Sequence, residues 1–451
     1  MVALTTRWTP LEYHPVQARL MASRARFRVV PAGRRSGKTE LAKRFTIMEC
    51  MKCVRLHGRF IVAAPTRDQA RRIYWEDLKA LVPKDFIIGE PRESEMKITF
   101  AHNRATLEVT GMDVPQRVEG APLDGIILDE YADMKERAWN EHVRPALSTR
   151  GRPGWAWFIG VPEGRNHYYN LAMKAQDPRF RPEWEYFHWK SRDIIDAKEI
   201  EAAMSDMDEL SFKQEYEGDF VTFEGRVYYP FERDVHARKR LMYFHDMPIV
   251  LCLDFNVAPG PGAILQEQRK NWYPDQKGFP KALADEFSAV IGQIHIPKNS
   301  NTERVCKQFI SMYGHHKSEI YVYGDATGGA RGTSAIEGSD WDIVRKILKP
   351  HFGDRVKFRV GESNPQEKIR VNCVNSRLRT ADGIVRMIVD PVSAPEVVED
   401  FEGVTWLDGA DCVIDKWDNP RRTHWSDAIG YYMFRKYPIG AAGFSTQKFT
   451  Q

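Results

Sequence analysis

The sequence predicts an α/β protein, because short apolar runs alternate with segments of helical character and with polar turns. In the first half of the chain, apolar runs at residues 27–30, 59–64 and 126–128 each lead into a turn of small, polar or acidic residues. This alternation predicts a parallel-rich sheet with right-handed crossover connections. In the second half, apolar runs at residues 249–253 and 320–323 each lead to an aspartate, which predicts a second α/β domain.

The segment 27–39, FRVVPAGRRSGKT, has the layout of a phosphate-binding loop. Backbone N–H groups of such a loop point at phosphate oxygens, Lys38 would reach the β- and γ-phosphates, and Thr39 would offer its hydroxyl to Mg²⁺. The strict pattern has Gly where this chain has Ala32, which is small enough to turn there. The alternative is a chance Gly-Lys-Thr in a surface turn. The loop residues that we assign to the nucleotide are Gly33, Arg34, Arg35, Ser36, Gly37, Lys38 and Thr39.

A second motif supports this assignment. Residues 125–130, GIILDE, are an apolar run that ends in two carboxylates, as expected of a buried parallel strand. Asp129 would lie at the carboxyl end of that strand, beside the phosphate loop, and hold Mg²⁺. Glu130 is the candidate general base that orients the attacking water. A strand followed by an acidic turn is the simpler alternative, but the two motifs in this order favour a nucleotide site.

Residues before the loop are candidates for holding the base of the nucleotide. Tyr13, His14 and Gln17 precede the loop closely enough to hold an adenine ring by stacking and hydrogen bonds. An N-terminal helix packed on the sheet explains the same residues. We assign Gln17 to the nucleotide.

The composition is that of a large globular protein. The chain has 451 residues, 42% of them apolar, and a formal net charge of +4, so a polyanionic partner is allowed but not demanded. A chain of this length suggests about three domains. No uninterrupted apolar segment reaches the roughly 20 residues of a membrane span, and the N-terminus lacks the layout of a secretion signal. The cysteines fit a reduced, cytoplasmic setting.

The second half of the chain contains a separate group of carboxylates. Asp254 and Asp325 each end a predicted strand, and Asp427 begins an amphipathic helix. Carboxylates from two strands and one helix can converge at the end of a sheet, bind two divalent metals about 4 Å apart and support phosphodiester hydrolysis. Mg²⁺ or Mn²⁺ suits such ligands. The alternative is that the strand-end aspartates are turn residues and that Asp427 caps a helix.

Together these segments resemble the large terminase subunit of tailed, double-stranded DNA bacteriophages, and the likeness covers nearly the whole chain. The segments that carry it are 32–39 (AGRRSGKT), 126–130 (IILDE), 142–169, the LDFN around Asp254, 324–329 (GDATGG), 363–378 and 424–432 (HWSDAIGYY). The resemblance implies an N-terminal P-loop ATPase domain of the ASCE type with a parallel-rich sheet. It also implies a C-terminal α/β nuclease domain that is ribonuclease H-like.

The resemblance implies that the ATPase uses ATP and Mg²⁺ to pump double-stranded DNA into a procapsid. The nuclease, with two Mg²⁺ or Mn²⁺, would cut the concatemeric genome. The residues that match the family's phosphate, metal and catalytic positions are Lys38, Thr39, Asp129, Glu130, Asp254, Asp325 and Asp427. Glu286 is a possible fourth carboxylate of the nuclease site, although acidic residues at strand ends are frequent.

Phosphoryl transfer also needs a positive charge near the γ-phosphate. Four arginines are candidates for it: Arg34, Arg35, Arg144 and Arg150. In a ring, an arginine of one subunit can serve its neighbour, and phosphate-loop hydrogen bonding or surface solvation explains any two of the four. The segment Gly160-Val161-Pro162 corresponds to the family's coupling motif, which often has Thr or Ser where Val161 stands.

The resemblance also implies partners and a location. The expected partners are double-stranded DNA, contacted at its backbone with little sequence specificity, the portal protein, the small terminase subunit and further copies of this chain in a ring on the portal. No membrane is expected. The protein would work in the host cytoplasm, docked transiently on the procapsid. The candidates for DNA contact lie on a predicted helix: Lys368, Arg370, Arg377 and Arg379.

Composition gives the domain boundaries. We expect an ATPase core over residues 1–190, a lid over 191–224, a charged and aromatic linker over 225–246, the nuclease domain over 247–437 and a flexible tail over 438–451. Two other functions stay open. One is a cellular helicase-nuclease of DNA repair, and the other is an assembly scaffold that is switched by nucleotide binding.

Overall fold

The structure is a computed structural model. It describes residues 8, 11–221, 225–255, 260–276, 278–298, 300–329, 339–407, 413–415 and 422–439. The chain divides into two compact units, and the predicted tail lies outside the described residues from position 440 onward. The first unit contains Met1–Ile200 and Lys213–Thr222, and the second contains Glu201–Phe212 and the residues after Thr222.

The first unit is built on a seven-stranded sheet with the order β3-β4-β2-β5-β8-β1-β9. Every pair in it is parallel except β3 with β4. A two-stranded hairpin, β6 with β7, stands apart from it. The strands are β1 (Phe27–Pro31), β2 (Arg59–Ala64), β3 (Lys97–Thr99), β4 (Thr106–Gly111), β5 (Gly125–Asp129), β6 (Ser148–Thr149), β7 (Arg152–Pro153), β8 (Trp155–Gly160) and β9 (Trp184–Tyr186).

The strand order brings three predicted motifs to one edge of this sheet. Strand β8 lies between β1 and β5, with Pro31 opposite Gly160 and Asp129 opposite Ile159. The carboxyl ends of parallel strands meet at the same edge, so the phosphate loop after β1, the coupling segment after β8 and Glu130 after β5 become neighbours. All residues of β1 and β5 are buried, as expected of strands that are covered on both faces.

Helices cover both faces of the sheet. One apolar core includes Leu41 and Phe45, and Phe45 stacks on Trp157 of β8 with ring centroids 4.3 Å apart. The core on the other face includes Phe27, Trp139 and Phe158. The helices of this region are α1 (Pro15–Ala22), α2 (Lys38–Lys52), α3 (Arg67–Ala70), α4 (Glu76–Leu81), α5 (Arg144–Ala146) and α6 (His167–Gln176), with π-helical turns at Arg71–Trp75 and Ala138–Val143.

The segment predicted to form a lid is helical but is divided between the two units. It contains α7 (Ala197–Asp206), α8 (Glu209–Phe212) and a π-helical turn at Lys213–Glu217. Residues 201–212 belong to the second unit, whereas residues 213–222 return to the first. The lid predicted over 191–224 therefore includes residues of both units.

The second unit is built on a six-stranded mixed sheet with the order β14-β13-β10-β11-β12-β15. Strands β10, β11 and β12 form an antiparallel meander. Strands β13 and β14 continue the sheet in parallel beyond β10, and β15 lies parallel to β12. The strands are β10 (Ile249–Leu253), β11 (Gly260–Arg269), β12 (Leu283–Ile296), β13 (Ile320–Gly324), β14 (Val356–Phe358) and β15 (Val385–Val389).

Alternate residues of these strands face two different helical layers, as the pleat of a strand requires. In β10, Ile249, Leu251 and Leu253 pack into the core that holds the middle of α10 and α11. Val250 and Cys252 pack into the core that holds α12, α13 and α14. The helices of the unit are α9 (Arg233–His236), α10 (Thr302–Tyr313), α11 (Asp340–Phe352), α12 (Glu367–Leu378), α13 (Pro395–Gly403) and α14 (His424–Lys436).

The predicted linker contributes to this second core. Val227, Tyr228 and Phe231 are at most 1% exposed and pack with the side chains of α12, α13 and α14. These buried side chains anchor the start of the segment 225–246, which is predicted to be a charged and aromatic linker, in the second unit. Within the described part of the chain, no helix is both long and apolar enough to cross a membrane.

Candidate ATPase and nuclease sites

The loop between β1 and α2 is held tightly enough to require glycine at two positions. Gly37 has a φ of 81°, a left-handed conformation that side chains disfavour. A Cβ atom on Gly33 would lie 2.2 Å from both the Ser191 hydroxyl and the Tyr216 carbonyl oxygen. Gly33 and Gly37 therefore allow the loop to pack closely against its neighbours. The loop leads into the start of α2, where N–H groups and the helix dipole favour a phosphate.

Two buried side chains hydrogen-bond to the backbone of the loop. The Ser36 carbonyl accepts hydrogen bonds from Gln17 Nε2 at 2.9 Å and from Trp189 Nε1 at 3.0 Å. Gln17 Oε1 accepts a further bond from the His14 N–H at 3.1 Å. Both halves of the Gln17 amide are therefore engaged within the protein. The structure places Gln17 as a support of the loop rather than as a free group that is aimed at an adenine ring.

The predicted phosphate and magnesium residues lie together at the loop. Thr39 Oγ1 donates a hydrogen bond to Asp129 Oδ2 at 2.9 Å, and the Lys38 ammonium is buried with its Nζ 3.4 Å from the Gly33 carbonyl oxygen. Burial, and then the charge of Glu130, raises the pKa of Asp129 to about 6, while Lys38 opposes the shift. A cation near Asp129 would relieve this cost of burying negative charge. The oxygen donors of Thr39 and Asp129 fit Mg²⁺.

Sequence reasoning missed one residue of this site. Tyr74, which is fully buried, donates its hydroxyl to Asp129 Oδ2 at 2.7 Å. Burial, and then the charge of Asp129, raises the pKa of Tyr74 well above its ordinary value. No motif marks Tyr74, because its spacing from Asp129 along the chain carries no pattern.

Glu130 has a constrained backbone and a held side chain. Its φ of 52° and ψ of 50° are left-handed, a conformation that non-glycine residues adopt at a cost and that clusters at functional sites. Its N–H donates to Asp129 Oδ1 at 2.9 Å, and the Val161 N–H donates to its Oε2 at 3.4 Å. The coupling segment therefore contacts Glu130 through its backbone, and this contact needs no hydroxyl at position 161.

In the second unit, Asp254 and Asp325 lie at the ends of neighbouring parallel strands. Leu253 and Gly324 are opposite each other in β10 and β13, so the two aspartates follow in register. By strand alternation both fall on the side of the sheet that α12 and α14 cover. Asp427 lies in the first turn of α14. Burial raises the pKa of Tyr431 in the same helix, and the charges of Asp325, Asp254 and Asp427 raise it further while Arg370 lowers it.

Several phage proteins are similar to this chain in sequence. Residues 30–234 match the family model described as terminase large subunit, T4likevirus-type, N-terminal. The terminase large subunit of Thermus phage G20c is 30% identical over 247 residues, which cover 48% of this chain and 50% of that protein. The terminase large subunit of Escherichia phage T5 is 28% identical over 219 residues, with 48% of each chain covered. Over about half of its length, the chain is therefore similar to phage terminase large subunits.

The likeness in three dimensions extends over both units. The large terminase of a thermophilic bacteriophage, solved in complex with ATP-γ-S, has a TM-score of 0.55 at 15% identity, covering 94% of this chain and 99% of that one. This likeness confirms the predicted α/β fold class with parallel-rich sheets. In sequence, the chain spans about half the length of the curated relatives it matches.

The structure separates the four candidate arginines. Arg34 and Arg35 lie in the loop, where Arg34 pairs with the Glu215 carboxylate. Arg144 lies over the ring of Phe27, 4.4 Å from its centroid, and Arg150 is exposed in the turn between β6 and β7. Phe27 begins β1 whereas the phosphate loop follows its end, so the structure does not bring Arg144 to the phosphate loop of its own subunit.

Each aspartate of the candidate nuclease site has its own partner. Asp254 Oδ2 lies 3.2 Å from His424 Nδ1, Asp325 Oδ1 accepts from Asn364 Nδ2 at 2.7 Å, and Asp427 Oδ1 accepts from Arg370 Nη2 at 2.6 Å. Among the described residues, no three His, Cys, Asp or Glu side chains are grouped so that they could hold a metal ion. The donor chemistry suits Mg²⁺ or Mn²⁺, but in this conformation the three carboxylates do not form a shared ligand set.

Glu286 does not join the aspartates. It pairs with Arg269 at 2.6 Å, and those two residues face each other where β11 ends and β12 has just begun. Strand β10 meets β11 near its other end, with Leu253 opposite Gly262. The length of β11 therefore separates Glu286 from Asp254.

The helix predicted to contact DNA mostly faces inward. Arg370 is buried against Asp427, and Arg377 is buried beneath Tyr437 with its Nη2 bonded to the Ser288 hydroxyl at 3.1 Å. Arg379 pairs with Glu232 at 2.8 Å. Lys368 is half-buried. The sequence pattern could not distinguish these inward cations from a solvated basic face, because the partner carboxylates and rings are distant along the chain.

Two of these arginines make a matched pair for a stability test. We expect Arg370→Ala to lower the free energy of unfolding by about 3 kcal/mol, because it leaves the buried Asp427 charge unpaired. We expect Arg379→Ala to cost less than about 1 kcal/mol, because its ion pair is exposed. Calorimetric unfolding of the full chain measures both values. Equal losses would show that the pair with Asp427 is no stronger than a surface contact.

Proposed function

We propose that this chain is the motor subunit that packages viral DNA, an ATPase that drives double-stranded DNA into a procapsid and a metal-dependent endonuclease that cuts the concatemer. One observation carries the ATPase half. Thr39 meets Asp129 at the mouth of a phosphate loop that contains Lys38, in a region that matches the terminase family model. Lysine, hydroxyl and carboxylate in this arrangement fit a nucleoside triphosphate with its magnesium.

The ATPase residues have separate roles in this proposal. Loop N–H groups and Lys38 bind the phosphates, and Thr39 and Asp129 would hold Mg²⁺, which neutralises charge on the β- and γ-phosphates when it is bound. Glu130 orients the attacking water with its carboxylate, and the Val161 N–H fixes one of the two carboxylate oxygens. Loop and carboxylates meet at one sheet edge, so binding and hydrolysis share a single rigid frame.

An arginine completes the charge balance of phosphoryl transfer. Arg34 and Arg35 are within reach of a bound nucleotide in the same subunit, because they belong to the loop itself. Arg144 and Arg150 lie away from their own loop, so either would act on the nucleotide of a neighbouring subunit. This division fits a homo-oligomeric ring on the portal. The small terminase subunit is a further partner in this proposal, and the protein acts in the host cytoplasm.

The nuclease half rests on Asp254, Asp325 and Asp427. Two of them end adjacent parallel strands on the face that carries the third. These oxygen donors suit Mg²⁺ or Mn²⁺. Because Asp427 is paired with Arg370, assembly of a ligand set requires this pair to be shared or opened.

A cationic cleft in the second unit offers a path for the DNA backbone. The cleft has a volume of about 1330 Å³, and its exposed cations include Arg359, Arg435 and Lys436. A smaller adjoining cavity shares Arg359 and Arg435 and is lined by Gly324, Ala326 and Asn364, which surround Asp325 in the chain or contact it. The positive rim therefore continues to the candidate nuclease site, and phosphate contacts of this kind are independent of sequence.

Two single substitutions separate the proposed activities. Glu130→Ala should abolish ATP hydrolysis and leave DNA cleavage intact, because only the group that orients water is removed. Asp254→Asn should abolish cleavage and leave ATP hydrolysis intact, because a candidate metal ligand loses its charge. Phosphate release and plasmid cleavage in Mg²⁺ or Mn²⁺ measure the two activities on the same preparation.

Matched acids on the surface serve as controls for this pair. Glu199→Ala and Asp285→Asn replace exposed side chains that lie in no candidate site, and both variants should keep both activities. Loss of both activities in either Glu130→Ala or Asp254→Asn would contradict the assignment of one activity to each unit.

The cleft predicts a change in the salt dependence of DNA binding. Arg359→Glu with Arg435→Glu should weaken binding of duplex DNA and lower the slope of log K against log salt by about 1.8, since each phosphate contact contributes roughly 0.9. Lys307→Glu with Lys349→Glu changes the charge equally on α10 and α11, in the opposite helical layer, and should leave the slope unchanged. Fluorescence anisotropy over a salt series measures it. Equal slopes for the two double variants would exclude the cleft as the DNA path.

A further inference from the structure

The buried tyrosine at the ATPase site contacts the same carboxylate oxygen as the loop threonine. Asp129 Oδ2 accepts hydrogen bonds from Tyr74 at 2.7 Å and from Thr39 at 2.9 Å. Its other oxygen accepts the Glu130 N–H at 2.9 Å. These three donors come from a helical segment, from the start of α2 and from the strand end, so together they fix the orientation of the carboxylate.

Tyr74 is held in place independently of Asp129. Its side chain is fully buried in the core between the sheet and α2, and the Lys43 ammonium lies 5.6 Å from the centre of its ring. It belongs to the π-helical turn at Arg71–Trp75, between α3 and α4. π-helical turns are rare in proteins overall, and those that do occur often lie at functional sites. The hydroxyl is therefore a donor whose position does not depend on the loop.

A purely structural role would not require this partner. A buried tyrosine needs some acceptor for its hydroxyl, and Tyr168 in the same unit shows the ordinary solution, a bond to the Phe158 carbonyl at 3.0 Å. Tyr74 instead donates to an ionisable side chain that faces the phosphate loop. Hydrogen-bond partners behind a metal ligand fix its orientation and tune its affinity for the metal.

We propose that Tyr74 is a positioning residue for the nucleotide-bound metal: its hydroxyl holds the Asp129 carboxylate where it can ligate the cation. This inference rests on the proposed ATPase function. With Tyr74 in place, Asp129 is oriented before the nucleotide arrives, and Thr39 can turn its hydroxyl from Asp129 to the metal without releasing the carboxylate. Tyr74 itself touches neither nucleotide nor metal.

The test measures metal binding without turnover. The full chain is saturated with ADP and titrated with Mn²⁺, and free Mn²⁺ is followed by electron paramagnetic resonance. Tyr74→Phe keeps the ring and removes only the hydroxyl. We expect it to raise the Mn²⁺ dissociation constant about 10-fold or more, and to leave the affinity for ADP in EDTA unchanged. In ATP hydrolysis, the Mg²⁺ concentration for half-maximal rate should rise by a similar factor.

Tyr168→Phe is the matched control, since it removes an equally buried hydroxyl from the same unit. It should bind Mn²⁺ as the wild type does. An unchanged Mn²⁺ constant in Tyr74→Phe, with or without a lower unfolding temperature, would assign Tyr74 to packing alone and overturn the proposal. Equal weakening in both variants would do the same. A wild-type chain that binds no Mn²⁺ with ADP and hydrolyses no ATP would overturn the proposed ATPase itself.

Discussion

The burial of Asp129 is the constraint on which the first unit depends. A carboxylate that is 1% exposed must be matched by donors or by a cation. Thr39, Tyr74 and the Glu130 N–H supply the donors, and each comes from a different element. The phosphate loop, the helical segment over residues 67–81 and the end of β5 are thereby tied to one group. Movement of any of these elements changes the environment in which the nucleotide and its metal would bind.

The second unit also contains a buried carboxylate, and there an opposite charge compensates it. Its buried Asp427 is matched by a buried arginine rather than by neutral donors. Arg370 reaches it because Gly430 leaves room: a Cβ atom there would lie 2.6 Å from the Arg370 side chain. The N-terminus of α14 is fixed in turn by Asp400, which accepts the N–H groups of Trp425 and Ser426 at 3.0 Å. The helix that carries Asp427 is therefore held rigidly, and Arg370 balances the negative charge of the Asp427 carboxylate.

The sequence was sufficient to predict the features of the site that depend on a local pattern of residues. Strand, loop and helix at the phosphate loop, and the two carboxylates at the end of the fifth strand, Asp129 and Glu130, follow from spacing and strand periodicity. It did not reveal Tyr74, the engagement of Gln17 or the pair between Arg370 and Asp427, because these contacts join residues that are distant along the chain. It also left Arg144 as one of four candidate arginines, since sequence order does not say at which edge of a sheet a connecting segment ends.

The central claim is that Thr39 and Asp129 form the magnesium site of a bound nucleotide. A crystal structure of the full chain with Mg²⁺ and a non-hydrolysable ATP analogue tests it most directly. The account predicts the triphosphate in the loop, with Thr39 Oγ1 about 2.1 Å from the cation and Asp129 bound to it directly or through one water. A triphosphate seated elsewhere, or a cation that contacts neither residue, would contradict it.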